Sequence, residues 1–146
     1  MKELRERLLE IISGLDNDIL DFTPDENNIE TIGTLLLHIA AVECTWIFED
    51  ISGLNMNFKK WKHAFPLRKS INLPQLKGKS KSFYLNRLNE VRTERIDRSK
   101  DISDFDQLII SENNRYSIEW ILFNLIEHES IHIGQISLLN RLYQLL

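Results

Sequence analysis

The segment that most constrains this chain is residues 117–145, SIEWILFNLIEHESIHIGQISLLNRLYQL. Apolar residues recur there at intervals of three and four, without a proline and with a single glycine. That is the period of one long helix, and a helix so apolar needs other helices to cover it. The rest of the chain agrees. Three Pro and five Gly in 146 residues are too few for a β-sandwich that turns every ten residues or so.

Three further helices are predicted. Residues 2–14 place Leu4, Leu8, Ile11 and Ile12 on one face, with Gly14 as a stop. Residues 16–28 are polar, contain Pro24 and Asn27–Asn28, and read as a loop with at most one short turn. Residues 29–51 form the second helix, with Ile32, Leu35, Leu36, Ile39, Val42 and Trp46 toward a core and Gly53 after its end. Residues 80–99 form the third, capped by Ser80, with Tyr84, Leu88 and Val91 buried. Ser117 caps the fourth. Between the second and third helices, residues 52–79 hold Gly53, Pro66, Pro74 and Gly78 and no sustained period. A tight hairpin needs far fewer residues, so this segment is a crossover that runs along the bundle. The predicted architecture is all-α: a single domain over 1–146, a four-helix bundle with a long crossover between helices two and three.

Composition narrows the function classes. One cysteine, Cys44, excludes an internal disulfide and a multi-thiolate metal site. Uncharged runs fall short of the ~18 residues that a membrane span takes. MKELRERLLEII is charged through its first turns and lacks the apolar core of a secretory signal. A cytoplasmic protein with no membrane contact is expected. Charge is uneven: residues 1–50 carry −9 and residues 59–100 carry +10. The two halves are expected to pack together. The sharper reading is an anion-binding face, but the basic stretch has few aromatics spaced for base stacking, so nucleic acid is a minor option.

The chemistry sits where polar residues interrupt apolar stripes. The buried row of helix four is expected to run Ile118, Ile121, Leu122, Leu125, His128, His132, Gln135, Ile136 and Leu139. His128 and His132 are one turn apart on one face, the spacing by which two imidazoles reach one metal ion. His38 interrupts the stripe of helix two between Leu35 and Val42 and is the natural third ligand. His63, beside Lys62 in the crossover, is expected to stay outside. Cys44 lies six residues from His38, about 240° round the helix, and reads as a small core residue.

His128-Glu129-Ser130-Ile131-His132 also matches the H-E-x-x-H of zinc proteases, where the Glu is a general base. The context argues against a protease. Gly134 is two residues after His132 rather than three, position 138 is Leu, and no carboxylate side chain follows Glu129. There is also little β-propensity for the sheet edge that would hold a peptide. Glu129 reads either as a residue that orients a metal-bound water or as a surface charge beside the site. Gln135 reads as a structural residue that bonds across to another helix or subunit.

The stretches LLLHIAAVECTWIFED and EWILFNLIEHESIHIGQISLLNRL make the chain resemble the DinB/YfiT-like metalloenzyme family. The family has a His in helix two followed by an acid and often a Trp, matched here by His38, Glu43 and Trp46. In its last helix it has His-x-x-x-His-x-Gly-Gln, matched by His128, His132, Gly134 and Gln135. The resemblance implies a four-helix bundle with the same crossover. It also implies one divalent metal ion, commonly zinc or nickel, held by the three His with water in the open positions. Relatives with a known reaction are transferases or isomerases that use a low-molecular-weight thiol. A metal-dependent enzyme of the transferase or hydrolase type, acting on a small-molecule substrate, is therefore expected. The rivals are a non-enzymatic metal-binding or regulatory module and a nucleic-acid-associated bundle using residues 59–100.

A homodimer is also expected, since relatives are often dimeric and helix four carries Trp120, Phe123, Ile131 and Leu138 beyond its core row. A two-fold pairing of that face covers it. The alternative is cover by the crossover or helix one.

Overall fold

A computed structural model describes residues 2–65, 73–100, 102–111 and 113–146. It contains α1 (Lys2–Ser13), a 3-10 turn (Asp18–Asp21), α2 (Ile32–Cys44) continued by a π-helical segment (Thr45–Ile51), a one-turn α3 (Phe58–Trp61), and α4 (Lys81–Ser99). Two strands, β1 (Leu108–Ser111) and β2 (Asn114–Ser117), lead directly into α5 (Ile118–Tyr143). The protein is mostly helical, with one small two-stranded sheet.

The four long helices fall where the apolar period puts them. Three of them start at a hydroxyl cap. Thr31, Ser80 and Ser117 each accept the backbone N–H three residues on, satisfying one of the donors a helix start leaves open. Helix two starts at Ile32 rather than 29, because the Thr31 cap fixes its first turn. Leu8 and Ile12 of α1, Leu36 and Ile39 of α2, Leu88 of α4 and Ile136 of α5 meet in one core. Burying each such side chain contributes roughly 1.5–3 kcal/mol. α2 and α4 pack tightly at Gly33. A Cβ there would collide with the Tyr84 hydroxyl and ring, so only glycine lets the Tyr84 ring into the core at this point.

Residues 32–51 have the length and apolar composition to cross a membrane, which shorter uncharged runs alone did not suggest. Two-thirds of that stretch is buried against the rest of the chain, as befits the central helix of a core.

Two elements depart from the all-α expectation. The first is the hairpin. Leu108 pairs with Ser117 and Ser111 with Asn114, and Asn113, just before the second strand, takes φ 69°. Asn tolerates that left-handed conformation, and the turn suits a tight hairpin. The second is the π-helical segment, in which Ser52 N–H reaches back five residues to Ile47 O at 3.2 Å. The wider turn re-aims the side chains beyond Cys44. Ile47 then joins Ile109 of β1 and Ile118, Ile121 and Leu125 of α5 in a second, smaller core.

Candidate metal centre

His38 on α2 and His128 and His132 on α5 converge, as their spacing predicts. Nε2 of His128 lies 3.1 Å from Nε2 of His38 and 3.1 Å from Nε2 of His132. Two nitrogens each ~2.0–2.1 Å from a common ion stand about 3 Å apart, so the spacing fits a shared metal. All three rings are half-buried. His63 sits in the turn after α3 and does not join the cluster among the described residues.

The protein fixes which nitrogen faces the centre. Nδ1 of His38 lies 2.6 Å from the carbonyl oxygen of Ala64, in the crossover. Nδ1 of His132 lies 2.5 Å from Oε1 of Gln135, one turn on along α5. A carbonyl oxygen only accepts, so both Nδ1 atoms carry the proton and both Nε2 atoms present lone pairs. With His128 Nε2 between them, one proton satisfies at most one of the two 3.1 Å contacts. A cation satisfies all three nitrogens at once.

The electrostatics point the same way. Burial pushes the His128 pKa down from 6.5 to about 3, and His132 and His38 push it further in the same direction. Burial also lowers His38, against the Ala64 bond, which favours the charged form. Burial lowers His132 too, against the Gln135 bond and the Glu30 carboxylate. The rings are therefore neutral at neutral pH, the state in which an imidazole ligates.

Glu129 is neither of the things its position in the sequence suggests. It is 2% exposed and points away from the histidines. Arg5 Nε donates to its Oε1 at 2.5 Å and Arg92 Nη2 to its Oε2 at 2.9 Å. Glu43 of α2 shares the same partners, with Arg5 Nη2 at 2.9 Å, Arg92 Nε at 3.0 Å and Arg95 Nε at 3.2 Å. This buried network joins α1, α2, α4 and α5. It is also where the acidic and basic halves of the sequence meet. A carboxylate held by two guanidiniums is no general base, which removes the remaining motive for a protease.

Gln135 is exposed rather than part of the buried row, and it orients His132 instead of bridging helices. The buried row of α5 runs Ile118, Ile121, Leu125, Glu129, Ile133, Ile136 and Leu139, so the histidines flank it. Cys44 is a buried core residue as expected, and burial pushes its thiol up to about 11. The Ala64 carbonyl was not legible, because the crossover has no period to place it. Gln135 stands three residues after His132 in the sequence, and its partner is that ring rather than another helix or subunit.

No curated protein matches the sequence. The sequence profile of the DinB superfamily matches residues 1–136. The matched span includes all three histidines together with α1, α2, α4 and most of α5, and the chain belongs to the DinB superfamily.

Proposed function

We propose that the chain is a metal-dependent enzyme of the thiol-dependent transferase or hydrolase type, acting on a small molecule. Its divalent ion, zinc or nickel, is held by His38, His128 and His132. The observation that carries this reading is the convergence of three neutral imidazole nitrogens with two of their tautomers fixed from behind. Such an ion would supply Lewis acidity that favours the ionised form of a water or thiol near neutral pH. The chain's own part is to hold and orient. Ala64 and Gln135 keep the protons of His38 and His132 on Nδ1. Partial burial keeps the rings uncharged while leaving one side open to a ligand. The Arg5–Glu43–Arg92–Glu129 network locks the register of α2 against α5 from the opposite face.

We read the four long helices as a four-helix bundle with one long crossover, a single domain over 1–146, in the reducing cytoplasm where small thiols stay reduced. We also propose a homodimer. Trp120, Phe123, Ile131 and Leu138 of α5 are 43–65% exposed, an apolar face that a two-fold partner covers.

Elemental analysis of purified protein, followed by a screen of small-thiol substrates with that metal restored, tests the activity. One ion per chain and turnover lost on chelation are expected. Metal bound without any chelator-sensitive turnover overturns the enzyme reading in favour of a binding module. Light scattering at micromolar concentration tests the dimer, and a mass near 17.3 kDa overturns it.

A further inference from the structure

The two elements that the helical period does not foretell, the π-helical segment and the hairpin, wall one cavity of about 210 Å³. Trp46 and Asp50 enter it from the π-helical segment, Tyr116 from β2, Val42 from α2 and Phe65 from the crossover. All five are half-buried, so the cavity opens to solvent. It adjoins the histidines. Val42 is one turn beyond His38 on α2, and the Phe65 ring stands edge-on to His38 with centroids 6.5 Å apart. Trp46 is two turns from His38, about 12 Å along the helix.

Its chemistry is distinct from that of the centre. Trp46 meets Tyr116 edge-on at 5.4 Å and Trp120 at 6.1 Å, and Tyr116 stacks on Trp120 at 4.4 Å. The faces of such rings are the negative end of their quadrupoles. Asp50 brings a carboxylate to the same wall. Asp50 is engaged within the protein as well, so a ligand meets the ring faces and the carboxylate together rather than one bare ion pair. Aromatic walls under a negative potential suit a weakly hydrated organic cation. A neutral group of the same shape gains only the apolar contact, and an anion is repelled.

We propose that this cavity is the subsite for the non-reacting end of the substrate and that it selects an amine or quaternary ammonium group. Resting on the proposed metal-dependent activity, this makes the substrate a small molecule with a cationic end about 10 Å from the group that reaches the histidines. The wide π-helical turn and the hairpin are then the parts that set specificity, while the long helices hold the metal. π-Helical turns occur frequently at functional sites.

Calorimetric titration of the full chain with choline, and with its neutral carbon isostere 3,3-dimethyl-1-butanol, tests the subsite. The titrations are run with metal loaded and again after chelation. Saturable choline binding in the millimolar range or tighter is expected, with the isostere about tenfold weaker. Trp46→Leu and Tyr116→Leu each weaken choline by about tenfold, and Asp50→Asn does so by a few-fold, with the circular dichroism of the native chain retained. Equal binding of choline and isostere, no saturable choline binding, or full affinity in both ring variants overturns the proposal. Choline affinity that survives chelation supports the subsite whatever the metal does. A chain that binds choline but takes up no metal sinks the enzyme reading alone.

Discussion

Helices α2 and α5 each carry two kinds of polar group inward, on different faces. One face holds His38, His128 and His132, and the other holds Glu43 and Glu129 with Arg5, Arg92 and Arg95. Both clusters interrupt apolar rows, and Glu129 is the immediate neighbour of His128. They differ in what completes them. The Arg–Glu cluster contains donors and acceptors of opposite charge and closes on itself. The histidine cluster contains three like acceptors aimed at one point, with no donor among the described residues that satisfies all three. A buried polar cluster that is complementary holds a fold together, whereas one made of like groups calls for something from outside.

The largest effect should come from opening the closed cluster. Glu129→Ala leaves Arg5 and Arg92 buried without one of their counter-charges and should cost about 3–5 kcal/mol of stability, read by chemical denaturation. A loss under about 1 kcal/mol would mean that the network is an ornament of the fold. On the other face the effect should fall on metal and not on folding. His132→Ala should lower metal affinity by more than about 100-fold while His63→Ala leaves it unchanged. Equal losses in the two variants would show that the wrong ring was assigned.

A smaller change should follow from Gln135→Ala, which frees the Nδ1 proton of His132 without removing a ligand. About a tenfold loss of metal affinity is expected. A different kind of effect, on stability rather than affinity, separates the clusters by pH. In chelated protein the histidine pKa values are lowered by folding, so the unfolded chain binds protons that the folded chain refuses. Above pH 6.5 both states are neutral and nothing is lost. As pH falls below 6.5 stability should drop, continuing toward the His128 value of about 3. Metal-loaded protein should hold its melting temperature further into that range. A chelated protein whose melting temperature is flat from pH 7 to 5 would contradict the assigned burial.

What was legible in the sequence was whatever repeats with the period of a helix. The four long helices, the caps Ser80 and Ser117, and the three histidines all declare themselves as regular spacing or as breaks in it. What was not legible is local geometry without a period. Glu129 was misread because its position relative to His128 gives a direction round α5 but not which helix lies there, and the partner proves to be Arg5, 124 residues away. The hairpin is hidden because strands of four residues are too short to show alternation. The π-helical turn left no mark, since TWIFEDI reads as a continuation of α2.

The grip of Ala64 on His38 has an evolutionary corollary. It is made by a main-chain carbonyl, so it does not depend on which side chain occupies the position, provided that the side chain fits a fully buried site. Small side chains can therefore replace one another at position 64 without a matching change at the histidine, whereas Phe65, whose ring stands edge-on to His38, is not free in that way. A lineage or a protein engineer can vary that position with the orientation of His38 inherited intact.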